Sequence, residues 1–240
     1  MVTLTINGRE IKAAEGTTVL NAARDNNINI PTLCVNESVA PYGACRLCMV
    51  EVTRGKRQRI VASCLYEVAE GLVVDTESEK VAGIRRIAIE LLLARCPKSP
   101  EVIEMAEKLG VTETRFKIED EENKCVLCAL CTRVCHEVVG QSAISLVNRG
   151  TEREVALPFY EDAKACIACG SCVYICPTQA IQMEDKDGKR TITWPNSKQE
   201  FKLRRCDKCG SYWVPEKQLK FMANKAGISM DRFEFCPDCR

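Results

Sequence analysis

Eight cysteines between positions 125 and 176 constrain this chain more than anything else in it. They form two runs of one spacing, C-x2-C-x2-C-x3-C: Cys125, Cys128, Cys131 and Cys135, then Cys166, Cys169, Cys172 and Cys176, the second closed by Pro177. Three thiols two residues apart wrap the corners of one cubane, and the fourth sits where the chain has turned into a helix leading away. In runs of this spacing the fourth cysteine ligates the other cluster. The expected sets are Cys125, Cys128, Cys131 and Cys176 for a first [4Fe-4S] cluster, and Cys135, Cys166, Cys169 and Cys172 for a second. Disulfides or zinc knuckles are the competing use of eight cysteines, and two complete copies of so tight a spacing argue against them.

The 17 cysteines divide as four, eight, four and one left over, so each group can staple a small fold within the 240 residues. Aromatic residues make up only 5% of the chain, so the metal sites are expected to supply much of the folding energy. With 34 basic and 33 acidic residues the charge offers no case for nucleic acid or a membrane surface. The longest apolar run, at 91–94, is far short of a membrane span. Met1-Val2-Thr3-Leu4 begins directly in a strand pattern, with no basic or apolar leader. Cysteines clustered at metal spacings in such a chain point to a reducing, cytoplasmic setting rather than a secreted disulfide scaffold.

Val2–Ile6 alternates up to Asn7-Gly8, a strong hairpin turn, and 10–13 returns as a second strand. Thr17 or Thr18 caps a short helix with Val19, Leu20, Ala22 and Ala23 on its buried side, and Asn26-Asn27 ends it. Then come Cys34, Cys45, Cys48 and Cys64, spaced C-x10-C-x2-C-x15-C. Strands are expected at 49–53, 58–62 and 72–75, an order compatible with a β-grasp sheet. Four thiolates in this arrangement suit a [2Fe-2S] cluster held by a long loop over the sheet edge, with zinc as the alternative. The plant-type spacing is C-x4-C-x2-C, and the first gap here is much longer. Gly43-Ala44 before Cys45 favours iron, because small residues let backbone N–H groups approach the sulfurs.

Pro31-Thr32-Leu33-Cys34 and the run Gly43-Ala44-Cys45-Arg46-Leu47-Cys48-Met49-Val50-Glu51-Val52 closely resemble the N-terminal ferredoxin domain of the complex I large iron–sulfur subunit. They look at least as much like the diaphorase small subunit of NAD-reducing hydrogenases, and the resemblance runs through roughly residues 1–185. It implies a hetero-oligomeric complex, with a flavin-bearing NADH-oxidising subunit on one side. On the other it implies a catalytic oxidoreductase subunit, such as a hydrogenase, a formate dehydrogenase or a ferredoxin-linked (bifurcating) reductase. One departure is local. In the complex I relatives a His/Cys-ligated [4Fe-4S] cluster follows the first domain, but Leu93-Ala94-Arg95-Cys96-Pro97 offers one cysteine and no histidine. That cluster is expected to be absent, with Cys96 an ordinary partly buried thiol.

Thr76-Glu77-Ser78-Glu79 reads as a capping box, followed by a helical stripe of Val81, Ile84, Ile87, Ala88 and Leu91. Ser99-Pro100 starts another helix that ends at Gly110. The acidic run 119–122 marks a boundary near residue 118. Strands at 143–147 and 154–157 flank Asn148-Arg149-Gly150, as an insertion that docks a partner or as cover for a cluster. His136, the only histidine, is expected to be a spectator. Asp187-Gly188 turns a hairpin into 191–194. Cys206, Cys209, Cys236 and Cys239 then form C-x2-C-x26-C-x2-C around a helix at 215–226 that carries Leu219, Met222 and Ala226 on one face. Two separated knuckles fit one tetrahedral zinc, although a further Fe–S cluster would also accept four thiolates.

The expectation is an α+β chain of four parts. Residues 1–77 form a β-grasp [2Fe-2S] ferredoxin domain and 78–118 a helical connector. A bacterial-type two-[4Fe-4S] ferredoxin domain occupies 119–185, and a hairpin with a zinc-ribbon-like four-cysteine module occupies 186–240. No nucleophile–base pair, paired carboxylates or nucleotide-binding glycine motif is present, so no catalytic site is expected. Electron relay within an NAD(P)H-linked oxidoreductase is what remains. The rival is a freestanding multi-cluster carrier, which the near-zero charge disfavours because such carriers rely on electrostatic steering.

Overall fold

Asn7 and Gly8 both adopt positive φ, 49° and 79°, and so turn strand β1 (Val2–Ile6) directly back into β2 (Arg9–Ala13). A two-residue turn of this hand matches the natural twist of paired strands. The computed structural model describes residues 1–240, which separate into two units, Met1–Ala129 and Leu130–Arg240.

In the first unit β1 also pairs in parallel with β5 (Leu72–Asp75), which pairs antiparallel with β3 (Met49–Arg54). With β4 (Arg57–Ala62) the mixed sheet has the order β2-β1-β5-β3-β4. Alternate residues Leu4, Ile6, Ile11, Val50, Val52, Leu72 and Val74 point to one side, where they share a core with Val19, Leu20, Ala22 and Ala23 of α1 (Val19–Asp25). Thr18 caps α1 by accepting from the Asn21 backbone N–H at 3.3 Å. Asn26 closes the helix, and Asn27 takes the left-handed conformation that frees the chain to leave it.

The helix α2 (Glu79–Arg95) departs from expectation twice. Its cap is Ser78, which accepts from the Val81 N–H. Thr76 instead exchanges two hydrogen bonds with Asn7, at 2.7 and 2.9 Å, and fastens the β1–β2 turn to the end of β5. The buried face of α2 is Val81, Arg85, Ile89 and Leu93, whereas Ile87 and Leu91 are 45% and 50% exposed. The four-residue step turns Arg85 inward to two backbone carbonyls, and the expected stripe rotates outward with it. A further helix, α3 (Pro100–Lys108), packs on α2 through Val102 and Ala106. It ends in a Schellman turn, with Val111 N–H on Ala106 O and Gly110 N–H on Glu107 O.

The second unit opens with α4 (Leu130–Arg133), which runs into a π-helical turn, Val134–Val138. A short hairpin follows, β6 (Ser145–Val147) with β7 (Glu154–Ala156), then α5 (Ser171–Tyr174). The remainder is a four-stranded antiparallel sheet, β11-β10-β9-β8, and a helix. Strand β8 (Gln182–Lys186) turns through Asp187 and Gly188, both at positive φ, into β9 (Lys189–Trp194). Strands β10 (Ser197–Arg205) and β11 (Tyr212–Pro215) go beyond the expected hairpin. Only Phe201 and Leu203 mark the inward face of β10, among charged neighbours. In α6 (Glu216–Ala226) the buried residues are Leu219 and Ala223, which pack with Phe233. Met222 is 45% exposed, so the expected 219–222–226 face is rotated by one position.

Candidate metal centres

In the first unit, Cys48 immediately precedes β3 and Cys64 follows β4, so pairing of the two strands brings their ends together. The Ser63 backbone N–H and hydroxyl both donate to the Cys48 carbonyl, at 3.0 and 2.8 Å, and hold that end closed. Cys34 and Cys45 lie on the long loop between α1 and β3. All four cysteines are buried. Their sulfurs fall into two pairs, Cys34–Cys45 and Cys48–Cys64, each 3.4 Å apart. That is well beyond a disulfide's about 2.05 Å, and near the ~3.8 Å that separates two thiolates on one tetrahedral ion with 2.3 Å metal–sulfur bonds.

The hydrogen bond within each pair splits its two acidities. Cys45 and Cys48 are lowered to about 6, while Cys34 and Cys64 are driven upward by the same bonds and by burial. The Cys45 backbone N–H points at the Cys34 sulfur, 3.5 Å away. Gly43 makes the approach possible, since it sits at φ 73° and a Cβ there would lie 2.6 Å from Leu65 Cδ1. Beside this loop Arg85 donates from Nε to Leu47 O and from Nη2 to Met49 O, at 2.9 and 2.8 Å. The guanidinium therefore grips the backbone on both sides of Cys48.

In the second unit, Cys135, Cys166, Cys169 and Cys172 line one small cavity. Cys135 comes from the π-helical turn, Cys166 and Cys169 from the loop before α5, and Cys172 from α5 itself. Ala143 and Ile144, just before β6, line the same cavity, as do Ile192 and Trp194 of β9. Backbone N–H groups reach the sulfurs, from Ala143 to Cys135 at 3.2 Å and from Ala168 to Cys166 at 3.4 Å. Burial pushes Cys166 up to about 11 and Cys172 up to about 12, and each also feels the neighbouring thiols. His136 turns aside and pairs with Ser142 Oγ at 2.9 Å.

The two cysteine runs curl in the same way. Leu127 and Ala129, on either side of Cys128, have φ of 53° and 64°, and Ala168 and Gly170, on either side of Cys169, have 58° and 80°. Left-handed residues flanking the middle cysteine wind each loop tightly. Cys125 and Cys128 close the first unit, and Cys131 and Cys176 belong to the second. The Cys176 sulfur accepts from the Ala180 N–H at 3.2 Å. Cys96, expected to be partly buried, is fully buried where α2 ends; its sulfur accepts from Asn123 Nδ2 at 3.8 Å, and burial pushes it up to about 12.

Near the C-terminus the sulfurs of Cys206, Cys209, Cys236 and Cys239 all lie within 4.8 Å of one another. Each knuckle is a tight turn, with Gly210 N–H on Cys206 O and Cys239 N–H on Cys236 O. The knuckles are joined by Asp207 N–H on Glu234 O and by Cys236 N–H on the Cys206 sulfur. Backbone N–H groups of Cys209 and Cys236 lower Cys206 to about 6.

Comparison with known proteins finds iron–sulfur domains in this chain. Residues 1–79 match the 2Fe-2S iron-sulfur cluster binding domain, and residues 158–212 match the 4Fe-4S dicluster domain. The chain is 37% identical over 204 residues to the NADPH-Fe(3+) oxidoreductase subunit alpha of Geobacter sulfurreducens. It is 34% identical over 215 residues to the NADP-reducing hydrogenase subunit HndD of Solidesulfovibrio fructosivorans. Both alignments cover 75% of this chain but only 24% and 36% of the respective relative, so the chain spans about a quarter to a third of their length. Among solved structures, a chain of the NAD+-reducing [NiFe]-hydrogenase in the H2-reduced state superposes with a TM-score of 0.59 at 28% identity, over 65% of this chain and 74% of that one. The protein thus carries 2Fe-2S and 4Fe-4S domains related to those of NAD(P)H-linked oxidoreductase subunits. No helix is long and apolar enough to cross a membrane.

Proposed function

We propose that this chain is the iron–sulfur electron-relay subunit of a cytoplasmic, multi-subunit NAD(P)H-linked oxidoreductase. The observation that carries the reading is the cavity shared by Cys135, Cys166, Cys169 and Cys172, in which four thiols drawn from both cysteine runs, Cys166 buried and the others half-buried, line one space. On this reading those four hold one [4Fe-4S] cluster, and Cys125, Cys128, Cys131 and Cys176 hold the other. Cys34, Cys45, Cys48 and Cys64 hold a [2Fe-2S] cluster on a β-grasp domain, with one iron for each close sulfur pair. Bound clusters of these kinds supply one-electron transfer. The chain's own contribution is to fill every coordination position with thiolate, to bury the thiols wholly or in part, and to aim backbone N–H groups at the sulfurs. No coordination position is left for substrate, which fits transfer rather than catalysis.

The C-terminal quartet is read as a zinc site. A cubane's ligating sulfurs lie beyond four separate irons and stand farther apart than two ligands of one ion. Four sulfurs within 4.8 Å of one another suit the single ion. The module's own core is small, chiefly Leu219, Ala223 and Phe233, so a metal clip would supply much of its stability.

The partners in this reading are a flavin-bearing NADH-oxidising subunit and a catalytic oxidoreductase subunit. Pure chain mixed with NADH should keep its oxidised cluster absorbance, and bleaching should begin only when the flavoprotein is added. Bleaching by NADH in flavin-free chain overturns the proposal.

A further inference from the structure

Strand β9 places Arg190, Ile192 and Trp194 on one face, because alternate residues of a strand share a side. That face is turned to the Cys166–Cys172 loop. Arg190 donates from Nη1 to the Ala168 carbonyl at 3.0 Å, and its other nitrogens pair with both carboxylate oxygens of Asp185 at 2.7 Å. Ile192 and Trp194 line the four-cysteine cavity and are 1% and 2% exposed.

Trp194 is the unusual member of this face. Its indole Nε1–H is buried and closes no hydrogen bond within the protein. A buried donor left without an acceptor is costly and rare, and calls for a partner the polypeptide itself does not supply. The cavity it lines is also lined by Cys135, Cys166, Cys169 and Cys172, so the nearest acceptors it could gain are sulfur. A donor so placed would be satisfied by the sulfur of a cluster bound in that cavity.

We infer that Trp194 is a potential-setting residue for the second [4Fe-4S] centre, donating its indole N–H to sulfur in the cavity lined by Cys135, Cys166, Cys169 and Cys172. The inference rests on the ligand set proposed above. Adding an electron makes cluster sulfur a stronger hydrogen-bond acceptor, so a fixed donor stabilises the reduced form and raises the reduction potential. The C-terminal sheet is then part of this centre: Arg190 fixes the ligand loop, Ile192 excludes water, and Trp194 tunes the sulfur.

The test is Trp194→Phe in the full chain, which keeps the aromatic bulk and removes the N–H. Iron content and a redox titration followed by electron paramagnetic resonance are the readouts. One cubane should shift negative by about tenfold in its reduction equilibrium, equal to ~59 mV for one electron, while the iron count and the other two centres stay in place. An unshifted or positively shifted cubane overturns the inference, and so does a common shift of all three centres. If the variant loses the cluster, wild-type chain carrying 15N-indole tryptophan decides the matter. A 15N coupling to one reduced cubane supports the donor, and no coupling overturns it. Absence of cubane iron and signal from the wild type would instead defeat the ligand assignment itself.

Discussion

Arg85 lends itself to a quantitative prediction, because its environment is unusual for an arginine. It is 8% exposed, yet its hydrogen bonds run to the backbone carbonyls of Leu47 and Met49 rather than to a carboxylate. Burial lowers its pKa, and the negative character of Cys48 and then Glu77 opposes that shift. Arg85→Met keeps an apolar stem of similar reach but leaves two buried carbonyls without donors, at roughly 1–3 kcal/mol each. Removing a buried charge returns part of that cost, so the expected net loss is about 2–4 kcal/mol. In a unit of this size ~1 kcal/mol moves Tm by roughly 4 °C, which places the drop at about 8–16 °C. Circular dichroism of the [2Fe-2S] chromophore during heating, at one scan rate, reads it directly. Arg85→Lys should recover only part of the loss, since one ammonium cannot reproduce a planar two-point grip on both carbonyls. A Met variant within about 2 °C of the parent, or a Lys variant fully restored to it, would refute the claim that Arg85 acts by bracing the Cys48 backbone.

Two further outcomes follow from the proposed ligand sets. Cys176→Ala should abolish the cubane signal tied to Cys128 and leave the one tied to Cys169; loss of the Cys169 signal instead would mean that each run closes on its own cluster. Metal analysis of anaerobically purified protein should find ten irons and one zinc per chain, and a zinc chelator should expose residues 206–240 to protease without altering the reduced-cluster spectrum. Fourteen irons without zinc would make the C-terminal quartet a third cubane.

Much of the architecture was legible because it rests on short-range rules. The Asn7-Gly8 and Asp187-Gly188 turns are written in residues that tolerate positive φ, and both appear where the sequence puts them. The end of α3 at Gly110 is legible for the same reason. Helix faces were less legible. On α2 the choice between a stripe through Ile84 and Ala88 and one through Arg85 and Ile89 is a rotation of one residue, about 100°. Hydrophobicity alone favours the first. The second wins because the Leu47 and Met49 carbonyls, nearly forty residues away in sequence, need a donor. The same one-step ambiguity misassigned Met222 in α6, where Phe233 lies over Leu219 and Ala223.

Where the thiols cluster is written along the chain, since C-x2-C spacings and the left-handed residues beside Cys128 and Cys169 act within a few bonds of the backbone. What surrounds those thiols depends instead on long-range pairing. Strand β10 carries too many charges to declare itself, and it becomes a strand by pairing with β9 on one side and β11 on the other. That pairing seats β9 against the cysteine loop and brings an unsatisfied indole N–H to the four-thiol cavity. Seating Trp194 on the same cavity as Cys172 joins residues 22 apart through sheet formation, and no periodicity along the chain encodes it.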